Sequence, residues 1–387
     1  MRSDSLFIIA LVLGCGSAGT QTSNASETAG ETGPDTQTTS PSAPTSTSTA
    51  SETTTEAEPT TSTGTPTAST STGTETASTS TGTPTASTSE TTGDPEQTAR
   101  LRVVNGCDQP MWVLHQVGAG GGSLDAANQI LLAAQGDYYD YAIPDIGLAA
   151  TRFWPGFGCD DTGNGCAIGQ SGGPPEQGFT CPPEGCAPPI DSKFEGTFGC
   201  LPGVAPADCQ DNPSAPGMKL PASDGWDTSM VDGFTVPYEV ELLDDCPGGP
   251  DDGAIDCSEL RLSDCPTAED ISTNQQFPAL SAVDLRAENP TTQTPGGCYS
   301  PCGKLTYANW DNAPIYAPAA AEAEYYCCPT PPIGVEECRQ GPVVDTQFVG
   351  LIHDKCKQVY SYAYDDGIGN WSCPAGTRYR VTFYCPQ

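Results

Sequence analysis

Carboxylates and cysteines are the residues whose number and placement bear on chemistry in this chain: 49 Asp and Glu and 19 Cys among 387 residues, against two His. A pair of carboxyls can cut a glycosidic bond by acid–base work, one protonated to give up a proton and one ionised to act as base or nucleophile. Crowded carboxylates raise each other's pKa, which keeps one of them protonated near neutrality. Asp227 and Asp232 stand five apart in a strand-like run. On a regular strand they fall on opposite faces, but Val231-Asp232-Gly233 offers a bend, which glycine permits. Two other acidic groups, Asp160, Asp161 and Asn164, and Asp251, Asp252 and Asp256, lack the spaced ligands and trailing glutamate of a calcium loop. Turn chemistry in disulfide-closed loops accounts for both. His115 and His353 are isolated and read as packing residues, and no histidine accompanies Cys298/Cys302 or Cys327-Cys328. No metal site and no cofactor are expected.

The elements that must position these residues occupy only part of the chain. The N-terminus has an apolar stretch, Leu6 to Leu13, ahead of Gly14-Cys15-Gly16-Ser17. Eight apolar residues are too few for a bilayer span, which takes about 20, so residues 1–15 read as an export signal. Val12-Leu13-Gly14-Cys15 resembles a lipobox, in which Cys15 carries lipid; the alternative is an ordinary signal peptide cut just after Cys15. Residues 16–98 are dominated by Ser, Thr, Pro, Gly and Ala and repeat one nine-residue unit at Thr61–Ser69, Thr70–Ser78 and Thr79–Ser87. Such a segment buries too little apolar surface to offset ordering entropy and reads as a disordered linker. It is either a tether spanning on the order of 50 Å or a spacer with no role beyond length.

Residues 99–387 hold 38 of the 49 acids and 13 of the 14 Lys and Arg, a net charge near −25. Nucleic acid and anionic lipid surfaces would be repelled. Eighteen cysteines in an exported segment imply disulfides rather than zinc. Strand signals are common: Leu101–Val104, Met111–Val117, Thr228–Leu243 and Tyr379–Tyr384 mix β-branched and aromatic residues. In the last, Tyr379, Val381 and Phe383 alternate with Arg380, Thr382 and Tyr384. Residues 247–342 are Pro/Gly-rich and cysteine-bearing, and one short helix is expected around Ser258–Leu262. A mainly β core with a loop-rich, stapled insertion follows.

Five motifs in order give this segment a family resemblance. They are Val103–Cys107 with Trp112-Val113; Thr151-Arg152-Phe153-Trp154 through Cys159 and Asp160–Cys166; Trp226–Pro237; Gly297–Cys302 with Tyr326-Cys327-Cys328; and Tyr360–Asp366 with Tyr379–Phe383 and Cys385-Pro386. Over essentially all of 100–387 the chain resembles thaumatin-like proteins. The resemblance implies an antiparallel β-sandwich with a disulfide-rich, loop-rich subdomain. It also implies the pairs Cys107–Cys385, Cys159–Cys166, Cys246–Cys373, Cys257–Cys356, Cys265–Cys298, Cys302–Cys327 and Cys328–Cys338. Ser171 stands where the family usually has a cysteine, and the remaining four then most simply pair as Cys181–Cys186 and Cys200–Cys209. The loop 169–217 is longer than in plant members.

Such proteins carry an acidic cleft of one arginine, one glutamate and three aspartates. Arg152, Asp227, Asp232 and Asp365 match by position, and Glu195 is the best match for the glutamate. The expected roles are Glu195 as acid and Asp227 as its partner, with Asp232 and Asp365 tuning charge and Arg152 holding carboxylates apart or binding hydroxyls. A structural ion-pair network is the competing reading of the same residues. Trp226, Phe234, Tyr238 and Tyr362 offer rings for sugar stacking, although most aromatics of a β core are simply core. Together with the lipid-bearing N-terminus, this reads as a monomeric, surface-tethered domain that binds β-1,3-glucan through the cleft the resemblance implies, with endo-β-1,3-glucanase or antifungal activity within the family's range. The alternatives are a non-catalytic interaction protein (a hydrolase inhibitor or adhesin) and a structural envelope lipoprotein.

Overall fold

A computed structural model describes residues 96–387 except 119–122, 172–178, 182–184, 202, 210, 213–216 and 366–368. The expected signal segment, Cys15 and nearly all of the linker therefore lie outside the described residues. In chain order the strands are β1 (Leu101–Asn105), β2 (Met111–Gln116), β3 (Gln129–Leu132), β4 (Tyr138–Tyr141), β5 (Leu148–Phe157), β6 (Phe194–Phe198) and β7 (Ser223–Asp227). They continue with β8 (Gly233–Phe234), β9 (Tyr238–Leu242), β10 (Ala254–Asp256), β11 (Arg286–Glu288) and β12 (Pro295–Tyr299). Four short helices follow, α1 (Pro301–Thr306), α2 (Glu324–Cys327), α3 (Val335–Arg339) and α4 (Gln347–Lys355), before β13 (Asn370–Pro374) and β14 (Tyr379–Phe383).

Five strands form one sheet in the order β10-β9-β14-β1-β4, and six form a second in the order β13-β7-β6-β5-β2-β3. The alternation read in the last strand sets the packing. Tyr379, Val381 and Phe383 are fully buried and point from the first sheet towards the second. The Tyr379 ring lies 5.5 Å from Phe194 and 5.7 Å from Trp226, centroid to centroid. Rings at this spacing in tilted and edge-on geometry add to what their burial contributes. A small third sheet, β11-β12-β8, links the sandwich to the helical, loop-rich region.

The pairing is antiparallel except between β1 and β14, which run parallel. The strands come from opposite ends of the domain, so no hairpin constrains their direction. Nine disulfides join the eighteen cysteines in the pairs that the resemblance and the remainder implied, Cys181–Cys186 and Cys200–Cys209 included. Two local expectations need correction. Ser258–Leu262 is a turn leading into a 3₁₀ segment at Leu262–Asp264 rather than a helix. The strand-like run 228–243 yields only β8 and β9, because the chain turns away from the sheet after Asp227. The longest helix, α4, which the sequence reading did not expect, buries Phe348, Val349 and Ile352 on one face, with Thr346 accepting from Val349 N as its N-cap.

Candidate functional site

The site grows from a single row across the six-stranded sheet. Arg152 on β5 pairs with Glu195 on β6, and Glu195 with Asp227 on β7. Side chains directly opposite on neighbouring antiparallel strands share a face, with Cβ atoms about 4.5–5.5 Å apart. The neighbouring positions, Phe153, Phe194 and Trp226, point the other way into the core. Strand alternation thus separates a charged outer row from the packed face beneath it.

Alternation also adds two residues that the sequence reading missed. Asp191 and Lys193 precede Glu195 by four and two positions, which places all three on one side of the chain. Lys193 Nζ lies 2.8 Å from Asp232 Oδ2 and 3.8 Å from Glu195 Oε2. Arg152 Nε lies 3.9 Å from Glu195 Oε1. The i, i+2, i+4 pattern Asp191-Lys193-Glu195 was the available signal.

Asp232 reaches the row because the backbone bends where expected. Gly233 has φ +140°, and a Cβ there would sit 2.1 Å from the Cys298 carbonyl oxygen, so only glycine fits. Asp232 is held further by Tyr307, whose hydroxyl donates to Oδ1, and by Ser300, whose N–H donates to its carbonyl at 3.1 Å. Ser300 and Tyr307 flank α1, so the loop-rich region meets the charged face here.

Electrostatics separate the carboxyls. Burial pushes the Asp227 carboxyl well above the usual range, the charge of Glu195 adds to that, and Lys193 only partly offsets it. Asp227 Oδ1 is buried and has no hydrogen-bond partner among the described residues. Asp191 is pushed up to about 6, chiefly by burial, against a hydrogen bond from Ser171 and the charges of Lys193 and Arg152. For Asp232 the cost of burial is outweighed by the Lys193 charge and hydrogen bond and by Tyr307, which together hold it below the usual range. Burial opposes the Lys193 charge too, but Asp232 and Glu195 overcome it and raise its pKa. Of the two carboxyls that stand directly opposite each other on β6 and β7, Asp227 is the one whose pKa is raised.

Five expected members stand elsewhere. Asp365 is 4 % exposed and accepts from Ser361 N at 3.0 Å and Ser361 Oγ at 2.6 Å, with His353 Nε2 at 2.8 Å. Those bonds fix a turn and none reaches the charged row. Trp226 and Phe234 are 2 % and 0 % exposed, the first packed on Phe194 and the second on Phe348, so neither can stack on a ligand. Tyr362, 8 % exposed, belongs to the same core, and Tyr238 is fully buried as well. Half-buried aromatics beside the row include Tyr307, which hydrogen-bonds Asp232, and Tyr360, which feels the charge of Asp227. Asp227 and Asp365 both raise the pKa of Tyr360, after burial. Trp310 lines a cavity of about 340 Å³ together with Gly185, Cys186 and Ala308.

Comparison with known proteins bears on this arrangement. The thaumatin family model matches residues 105–386. A thaumatin-like protein of Actinidia deliciosa is 26 % identical over 292 residues, 74 % of this chain and 89 % of that protein. A protein of Prunus avium named glucan endo-1,3-beta-glucosidase is 28 % identical over 211 residues, 52 % of this chain and 68 % of that protein. Among solved structures, the thaumatin-like xylanase inhibitor TLXI aligns with a TM-score of 0.28 at 15 % identity, over 74 % of this chain and 100 % of that one.

Proposed function

The chain belongs to the thaumatin family, and from that premise we propose that its domain binds β-1,3-glucan along the row Arg152–Glu195–Asp227. The observation that carries this reading is the placement of Asp227, whose pKa burial and Glu195 both raise, directly opposite Glu195 on the adjacent strand. An acid and a carboxylate side by side are what glycoside cleavage requires. Asp227 would protonate the leaving oxygen and Glu195 would act as base or nucleophile. Arg152 and Asp232 would hold hydroxyls at the ends of the row. Tyr307 and Tyr360 would offer rings where the buried Trp226, Phe234 and Tyr362 cannot. The name of the Prunus avium relative supports the substrate class.

One observation favours a binding-only protein. Lys193 already contacts both Asp232 and Glu195, and a cation against the would-be base or nucleophile blunts it. Reducing-sugar release from laminarin separates the two readings. If the pair is catalytic, Glu195→Gln and Asp227→Asn each lower turnover at least 100-fold while the protein still sediments with insoluble glucan. No release by the unaltered protein rejects catalysis and leaves binding.

Nine disulfides and the family are those of a secreted protein. We place this domain at the cell envelope or cell surface, held through lipid on Cys15 and lifted off the membrane by residues 16–98. Cys15→Ser is expected to move the protein from the membrane fraction to the soluble one, measured by fractionation and blotting.

A further inference from the structure

The chain has two histidines, and they stand in opposite surroundings. His115 is buried, which lowers its pKa to about 4. His353, on α4, has a side chain 37 % exposed that closes a triangle of polar atoms. Its Nε2 lies 2.8 Å from Asp365 Oδ2 and 2.9 Å from Ser361 Oγ. Ser361 Oγ and Ser361 N both donate to that same Oδ2, at 2.6 and 3.0 Å. Ser361 and Asp365 are buried. A buried carboxylate is thus bonded within its own turn and reached from outside by one partly solvated imidazole. The hydrogen bond with Asp365 raises the His353 pKa, burial opposes it, and the charge of Asp365 adds to the rise.

Other charges around the triangle are engaged elsewhere. On α4, Asp354 and Lys355 follow His353, and Lys355 Nζ lies 3.6 Å from Asp354 and 3.7 Å from Glu259. From α3, Arg339 reaches the same turn, its Nε donating to the Tyr364 carbonyl at 3.3 Å. Tyr360 and Tyr362 have pKa values raised above the ordinary phenol, chiefly by burial, so both stay neutral where a histidine titrates.

The turn 360–365 is a strut between α4 and the charged row. Its first residue, Tyr360, accepts from Met230 N at 2.8 Å and bridges Ser229. Ser229 and Met230 belong to the link that joins Asp227 to Asp232. A neutral imidazole still donates to Asp365 but brings no charge, and charge-assisted hydrogen bonds are roughly twice as strong as neutral ones. His353 therefore grips the turn harder when protonated, and that grip is lost as pH rises through its folded pKa.

We propose that His353, Ser361 and Asp365 form a pH-sensitive clamp on the link between Asp227 and Asp232, so that the row holds glucan more tightly as the pH falls. Control of binding rests on the glucan reading of that row; the clamp itself does not.

The test pairs NMR with sedimentation, on the full chain and on His353→Gln, a change at a partly exposed position. With two histidines in the chain, the His353 signal is identified by its loss in that variant. In the unaltered protein it should titrate above the ordinary value of about 6.5. Asp365→Asn, where it folds, should return it to that value or below. The Met230 amide shift should follow the same titration and lose that step in His353→Gln. Retention on insoluble β-1,3-glucan, taken as the ratio of unaltered protein to His353→Gln, should fall at least threefold as pH rises through the titration. Asp191 and Asp227 are present in both proteins, so the ratio isolates His353. A His353 titration at or below about 6.5, or a Met230 amide blind to it, overturns the clamp. A ratio that stays flat with pH in a protein that binds glucan overturns its control of the row. If the protein binds no glucan, the proposed function falls, and the two NMR measurements alone decide the clamp.

Discussion

At the scale of single residues, burial is the main force setting charge in the row. Asp191 has its pKa raised to about 6 by burial, against about 3.9 in an unfolded chain. A raised folded value means that the native state binds the proton more tightly than the unfolded state does. The stability tied to this group is complete below about pH 4 and is lost as pH rises through about 6. Asp191→Asn removes the titration, so its advantage over the unaltered protein should grow across that window to roughly 3 kcal/mol and then level off. Urea unfolding at pH 4, 5, 6 and 7.5 measures it, and a constant difference would contradict the assignment. Asp227, raised by burial and by Glu195, adds loss of the same sign. If it donates the proton, cleavage should also fall as pH rises through its own pKa. Part of this was legible beforehand. Arg152, Asp227 and Asp232 were found from motif positions, whereas Lys193 and Asp191 emerge only once the alternation around Glu195 is followed. The aromatics failed for the opposite reason: Trp226 and Phe234 sit in the best-matching motif because they build the core, and motif strength does not distinguish packing from binding.

At the scale of elements, the site depends on register and on one bend. β5, β6 and β7 come together from residues 148 to 227, and no local signal in the sequence says which residues of strands so far apart will stand opposite. The order of the row therefore became visible only with the sheet, although strand ends such as Tyr379–Phe383 were legible from alternation. The bend at Gly233 was legible, and it can be tested. Gly233→Ala must relieve a 2.1 Å clash with the Cys298 carbonyl and leave φ +140°. A backbone conformation of that kind costs a non-glycine residue of order 1–3 kcal/mol before the clash is counted. We expect at least about 2 kcal/mol lost in chemical unfolding, together with weaker glucan binding because Asp232 shifts away from Lys193. Stability unchanged within 0.5 kcal/mol would mean that the bend forms without glycine's freedom.

At the scale of the whole molecule, the disulfides set the connectivity on which the sandwich relies. Cys107–Cys385 ties the second residue past β1 to the second residue past β14, across 278 residues. In the chain-entropy account a closure of that length, taken alone, disfavours the unfolded state by roughly 5 kcal/mol, and by less when eight others are already closed. The double variant Cys107→Ala/Cys385→Ala should lower the thermal midpoint while leaving glucan affinity within about twofold, since the row lies on the other sheet. A midpoint unchanged within error would show that the parallel β1–β14 pair holds the ends by itself. The cysteine map was the most legible feature of the sequence, because spacing survives where surface residues change. The acidic surface was legible too, and it points to an uncharged ligand.

The central claim is that the row Arg152–Glu195–Asp227 engages β-1,3-glucan. The direct measurement is sedimentation of the full chain with insoluble β-1,3-glucan, run beside the variant Arg152→Ala/Asp232→Ala. The account predicts that the unaltered protein is depleted from the supernatant and that this variant shows at least tenfold weaker retention. Retention that is absent, or that is the same in the two proteins, would contradict it.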